Sequence, residues 1–328
     1  MTTQIGIGID VSKDKVDVAS SDGSHSFSCA QTANALAKLS KRLSKLDPKC
    51  ILVEATGGYE RNLLVQLRKE DLKVSLIQPS RVRYFAKSIG RLAKTDAIDA
   101  SILAMMAFIL GDELLVWNAQ DENTTKIRNL MERMRVIKDH IQSEKNRIRN
   151  STELGKESIS RVVEFLKTEL QNLEGEIDSI INNDEEISKK LRILTEVKGV
   201  GKLTALVLVS MLPEIGQLKR NEIVSLVGVA PVNRDSGRKR GIRSIFGGRK
   251  QVRNALYMAA LVSATHNQHI KEFYDRLKSK GKPSKVALVA CMRKLLIHLN
   301  SKMRVHLNGC CPLHEEQTGR TTCTLASQ

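Results

Sequence analysis

Apolar residues recur along this chain in two rhythms, and the change between them limits what it can fold into. Up to about residue 112 they come in short runs, alternating with small or polar residues; from about 123 to 182 they return every three or four positions. The first rhythm belongs to strands mixed with short helices, the second to long amphipathic helices. A chain of 328 residues divided this way has room for two domains joined by a spacer.

In the first part, Ile5, Ile7, Ile9 and Val11 predict a strand. Val16 and Val18 repeat the pattern after Lys13-Asp14-Lys15, and residues 24–28 around Phe27 predict a third strand after the Asp22-Gly23 turn. Leu36, Leu39, Leu43 and Leu46 form one helix face. Residues 50–53 predict a short buried strand, Leu63, Leu64 and Leu67 a helix, and residues 74–77 a strand closed by Pro79. Helices near 80–89 and 97–110 finish the unit. The order is β-β-β-α-β-α-β-α, an early meander followed by alternation, as in a ribonuclease-H-like sheet.

The second part carries two stripes: Ile127, Leu130, Met134, Ile137 and Ile141, then Val163, Leu166, Leu170, Leu173, Ile177 and Ile180. A polar stretch with Gly155 separates them. Such heptads predict an antiparallel coiled-coil hairpin or a dimer seam, or else two ordinary amphipathic helices packed on a core. Charge on their outer faces favours a projecting element. From about 190 the chain reads as helical and basic, with a G-x-G turn at 197–205, an apolar run at 223–229, a basic Gly-rich segment at 234–253, and buried helices at 254–264 and 285–299. The expected domains are an α/β unit at 1–112, coiled-coil helices at 113–190, a mostly α unit with a helix-hairpin-helix-like motif at 191–308, and a disordered polar tail at 309–328.

Charge narrows the partner. The formal net charge of +17 predicts a polyanion, since clustered Lys and Arg are the footprint of phosphate neutralisation. Cys29, Cys50, Cys291, Cys310, Cys311 and Cys323 show no C-x-x-C spacing, so free thiols in a reducing compartment are expected. No N-terminal targeting pattern precedes the first strand, and the apolar run at 98–110 is too short to span a membrane. A cytoplasmic protein is expected.

Carboxylates supply the chemistry. Asp10 ends the first strand in Ile7-Gly8-Ile9-Asp10, and Glu54 ends a later one in Leu52-Val53-Glu54. If these strands are neighbours, their acids converge. Asp96 and Asp99 are three apart and share one face of a helix. Together such acids could bind two Mg2+ ions, which would activate an attacking oxygen and stabilise a leaving one. Taken singly, Asp10 reads as a turn residue, Asp96 as a helix cap and Glu54 as a surface acid. Gly-Ile-Asp also opens sugar-kinase and actin-like ATPases, but those need a duplicated second half where this chain has heptads.

Two basic features lie downstream. Gly199 and Gly201 would let backbone N–H groups approach a phosphate, with Lys198 and Lys202 adding charge. A plain interhelical turn is the alternative. Ser236 sits in the run Arg234-Asp235-Ser236-Gly237-Arg238-Lys239-Arg240-Gly241-Ile242-Arg243, with Arg249, Lys250 and Arg253 beyond. A serine there reads as a hydrogen-bond donor to phosphate, or as a nucleophile that stores a phosphodiester bond in a covalent ester.

These segments together resemble the DEDD transposases of insertion sequences, relatives of the Piv-type DNA invertases. The matching stretches are IGIDVSK, LVEATGGYE, KTDAIDA, VKGVGKLTA, DSGRKRGIRSIFGGRKQVRNALYMAAL and KVALVACMRKLL, spread from residue 5 to about 297. The resemblance implies a RuvC-like N-terminal domain, a coiled coil and a C-terminal transposase domain. It places the acidic tetrad on Asp10, Glu54, Asp96 and Asp99 and the nucleophile on Ser236, and it implies Mg2+, with Mn2+ as a substitute. It further implies donor and target DNA, an element-encoded structured guide RNA, and a homo-oligomer, dimer or tetramer, formed through the coiled coil, in a bacterial or archaeal cell at the nucleoid. The expected function is then a recombinase that cleaves and rejoins DNA. The other classes are a hydrolytic Holliday-junction nuclease using metal-activated water, and a binding module whose acids are structural.

Overall fold

The computed structural model describes residues 4–91, 96–117, 121–232 and 243–308, leaving out the side chains of Asp96, Ala97 and Asn308. The chain divides into two compact units, residues 1–119 and 120–328. Among the described residues no helix is long and apolar enough to cross a membrane.

The first unit is a five-stranded sheet with helices on both faces. Its elements are β1 (Gly6–Val11), β2 (Lys15–Ser20), β3 (Ser26–Ala30), α1 (Ala33–Ser44), β4 (Cys50–Glu54), α2 (Arg61–Lys69), β5 (Val74–Ile77), α3 (Pro79–Ser88) and α4 (Asp96–Leu110). The spatial order is β3-β2-β1-β4-β5. The first three strands are antiparallel, and β4 and β5 join parallel to β1. The order of elements along the chain and the early meander agree with the sequence reading.

Alternation along β1 sorts its side chains. Ile7, Ile9 and Val11 point into one core with Val16, Val18, Leu36, Leu39, Leu43, Ile51, Val53, Leu63 and Leu67. Gly6 and Gly8 point the other way, and α4 rests on them. A Cβ at Gly6 would fall on the backbone of Phe108 and Ala104, and one at Gly8 on the backbone of Ala104 and Ala100. The helix therefore lies with its backbone against the strand, and it runs antiparallel to β1: Gly6 meets the 104–108 turn, Gly8 the 100–104 turn. On that face α4 buries Ile102, Leu103 and Met106 with Leu52, Ile77, Val82 and Ala86.

The second unit is helical. A long hairpin, α5 (Glu122–Arg147) and α6 (Glu153–Asn182), is joined by a 3-10 turn at Ile148–Asn150. Gly155, expected in the linker, lies inside α6, because Thr152 caps the helix by accepting from the Gly155 N–H at 3.3 Å. There follow α7 (Glu185–Thr195), α8 (Lys202–Met211), α9 (Arg220–Val227), the short strands β6 (Pro231–Val232) and β7 (Ser244–Ile245), α10 (Lys250–His266), α11 (Gln268–Ser279) and α12 (Ser284–Asn308). One continuous core runs from Ile127 in α5 through Leu194, Leu208, Val227 and Leu256 to Leu299 in α12, so the hairpin and the later helices share it. Buried Asn300 ties a loop to this core, accepting from the Gly216 N–H at 2.7 Å and donating to the Leu218 carbonyl at 2.9 Å.

Free thiols were expected, and Cys29, Cys50 and Cys291 are free; burial pushes the Cys291 thiol up to about 11. Cys310, Cys311 and Cys323 lie outside the described residues.

Candidate nuclease site and nucleic-acid interface

Asp10 and Glu54 end neighbouring strands at one edge of the sheet. The last paired residues of β1 and β4 are Ile9 and Val53, so Asp10 and Glu54 stand one step further, level with each other on strands about 4.8 Å apart. By alternation both belong to the face covered by α4. Two strand residues advance about 6.6 Å and four helix residues about 6 Å, so the step from Gly6 to Gly8 matches one turn of α4. Continued to Asp10, the same step reaches the first turn of α4, where Asp96 and Asp99 lie. Asp10, Glu54 and Asp99 are all half-buried.

Among the described residues, no group of three or more His, Cys, Asp or Glu side chains is placed to hold a metal ion. The Asp96 side chain is outside that set. The donor chemistry still suits a hard divalent cation: among the described residues the two strand ends and the start of α4 offer carboxylate oxygens, from Asp10, Glu54 and Asp99.

Two further acids at this edge escaped the sequence reading. Asp17 pairs with Asp10 across β1 and β2 and is buried, but its carboxylate is engaged, accepting from the Ser28 hydroxyl and lying 3.1 Å from Lys15 Nζ. Glu60 is also buried, and its Oε2 accepts from the Thr56 N–H at 3.2 Å, the Thr56 hydroxyl at 3.0 Å and the Gly58 N–H at 2.8 Å. It fixes the turn that follows Glu54, and the side-chain amide of Gln31 donates to the Tyr59 carbonyl in the same turn. The signal for Glu60 was present in LVEATGGYE, where an acid six residues after Glu54 follows two glycines.

In the second unit, the G-x-G turn joins α7 to α8. Gly199 has φ +99°, and a Cβ there would strike Ser263 of α10, so close packing accounts for this glycine. The Lys198 carbonyl accepts from Ser263 Oγ at 3.1 Å and from Asn267 Nδ2 at 3.2 Å. Gly201 caps α8 and faces open space. Lys202 pairs with Asp178, while Lys198 is exposed.

Ser236, Arg238, Lys239 and Arg240 lie outside the described residues. The two ends of their segment are described. β6 pairs with β7, and Gly228 and Gly248 pass so closely that a Cβ on either would strike the other side's backbone. Arg253 donates to the Val227 carbonyl at 3.3 Å and to the Gly247 carbonyl, one on each side of the segment. Arg249 holds Glu214 through two bonds of 2.5 and 2.6 Å and donates to the Met211 carbonyl at 2.9 Å. Both arginines, expected to contact phosphate, thus have their guanidinium groups engaged within the protein. Arg243 and Lys250 are exposed.

Comparisons with known proteins agree along most of the chain. Residues 7–152 match a family described as transposase of the DEDD type, and residues 191–275 match one described as transposase IS116/IS110/IS902 family. A pilin gene-inverting protein of Moraxella lacunata is 28% identical over 250 residues, covering 75% of this chain and 77% of that protein. One of Moraxella bovis is 29% identical over 253 residues, with the same coverage of each.

Proposed function

Because the chain belongs to the DEDD transposase family of insertion-sequence recombinases, kin to the Piv-type inverting proteins, we propose that it cuts and rejoins DNA through a covalent link to Ser236, served by Asp10, Glu54, Asp96 and Asp99. Enzymes of this family cleave and join DNA strands, and the DEDD type points to a divalent cation. The observation that carries the finer reading is the antiparallel lie of α4 on Gly6 and Gly8, which brings the first turn of α4 to the edge where β1 and β4 end.

In this reading the carboxylates of Asp10, Glu54, Asp96 and Asp99 would hold Mg2+, or Mn2+ in its place. The bound cation would supply positive charge to polarise the scissile phosphate and stabilise the leaving oxygen. Ser236 Oγ gives up its proton and bonds to phosphorus, while the bond from phosphorus to a deoxyribose oxygen breaks and that oxygen gains a proton. An incoming deoxyribose hydroxyl reverses the step and rejoins the strands. Arg238, Lys239, Arg240, Arg243 and Lys250 neutralise backbone charge, and Lys198 with the α8 N-terminus at Gly201 and Lys202 adds a contact independent of base sequence. Arg249 and Arg253 act from inside, by closing the base of the segment that carries Ser236. A structured guide RNA encoded by the element and a homo-oligomer built on the α5–α6 hairpin complete the proposal.

The test uses labelled junction-bearing DNA, the full chain and Mg2+, with products run under denaturing conditions. A protein–DNA adduct is expected, lost in Ser236→Ala and in Asp10→Ala. Cleavage without an adduct that survives Ser236→Ala would instead make the protein a hydrolytic junction nuclease.

A further inference from the structure

The chain is poor in aromatic residues, with one Trp, four Tyr and six Phe. Yet Tyr84 is 56% exposed and Tyr59 50% exposed. Neither ring fills a core in a protein that has few rings to spare. Both leave the sheet at its carboxylate edge: Tyr59 lies in the turn after β4, which ends at Glu54, and Tyr84 lies in α3, which begins two residues after β5 ends at Ile77. Glu54 and Ile77 are paired residues of β4 and β5.

The inner face of α3 buries Val82 and Ala86, with Phe85 half-buried, in the core it shares with Ile102 and Met106 of α4. Its outer face exposes Arg81, Arg83, Tyr84 and Lys87. Arg81 and Lys87 each stand three positions from Tyr84, so the ring lies between two cations spread over about 9 Å of helix. No acid occurs between Asp71 and Asp96, a stretch that also holds Arg91 and Lys94. The Tyr59 turn is fixed in advance by the three bonds to Glu60 and the bond from Gln31.

We propose that Tyr84, flanked by Arg81, Arg83 and Lys87, and Tyr59 form a track for an unpaired DNA strand beside the carboxylate edge. An exposed ring between cations suits a base with its neighbouring phosphates, because stacking accepts any base and the cations meet the backbone. A duplex keeps its bases stacked on one another and would use the cations alone. The inference rests on the carboxylate edge being the place of DNA cleavage, since that is what makes DNA the strand delivered there.

Binding can be read without divalent ions, by fluorescence anisotropy of labelled mixed-sequence oligonucleotides with the full chain in EDTA. Tyr84→Ala should weaken single-stranded DNA binding about fivefold or more, with duplex affinity unchanged and with Tyr84→Phe binding as the wild type does. Wild-type affinity for single strands in Tyr84→Ala overturns the proposal. So does an equal loss for single strand and duplex, or a preference for RNA of the same sequence over DNA. Adduct formation plays no part in this readout, so a failed adduct assay beside intact Tyr84-dependent binding would sink the covalent Ser236 reading and leave the track standing.

Discussion

Gly8 has no room for a methyl group, and that single fact positions the first turn of α4. A Cβ there would fall on the Ala100 and Ala104 backbone, which cannot give way as a flexible side chain could. Gly8→Ala is expected to cost about 1–3 kcal/mol in urea unfolding, the usual size of an overpacking penalty, and to lower strand cleavage further by lifting the α4 aspartates from the strand ends. Gly175, in the middle of α6, is the contrast: open space surrounds its missing Cβ. In the same experiment Gly175→Ala should stabilise by about 0.5–1 kcal/mol. The sequence showed IGIGID as a strand ending in an acid, but not why its glycines are glycines. Their reason is a helix more than ninety positions away in the chain.

At the scale of elements, caps tie the hairpin to the helices after it. Asp184 caps α7, accepting from the Ile187 N–H at 3.0 Å, and also accepts from the Asn123 side chain at 2.8 Å, which fastens the start of α5 to the start of α7. The Asn123 bond and then the Ile187 N–H hold its carboxyl below the ordinary 3.8. A depressed folded value means stability present above the unfolded value and lost as pH falls through the folded one. Asp184→Asn keeps an oxygen for the cap but removes the charge. Its unfolding midpoint should therefore fall less steeply than the wild type's as pH is lowered below 3.8. The heptad spacing revealed both long helices, but Gly155 misled, because a glycine reads as a break unless the Thr152 cap before it is weighed. The basic run from 234 to 253 was legible as charge, while the structural use of Arg249 and Arg253 was not, since their partners Glu214, Val227 and Gly247 become neighbours only on folding.

Across the whole molecule the excess of cations sets the response to salt. A formal net charge of +17 in a DNA-joining enzyme means that much of its affinity comes from releasing counterions. If about six phosphates are neutralised, affinity for mixed-sequence duplex DNA should drop roughly a thousandfold between about 50 and 200 mM salt, with log affinity linear in log salt. A flat response in anisotropy titrations would mean that the positive charge serves solubility alone. The order of strands along the chain, and the places of Asp10 and Glu54 at two strand ends, were legible because strand alternation and the ends of apolar runs are local signals. The aromatic face of α3 was not, because exposure is decided by which side of the helix α4 covers.

The contact between α4 and β1 also dictates where this chain can gain or lose residues over evolutionary time. One residue deleted between Ala100 and Phe108 would turn the helix start by about 100° and shift it by about 1.5 Å relative to the strand. The first turn of α4 would then meet the end of β1 with a different face. The Asp22-Gly23 turn in the long interval separating Asp10 from Asp96 carries no such constraint, and surface turns of this kind lengthen at small cost. Descendants of this protein should therefore differ in the spacing between their acidic islands, while the count from Asp99 to the alanines seated on the glycines stays fixed.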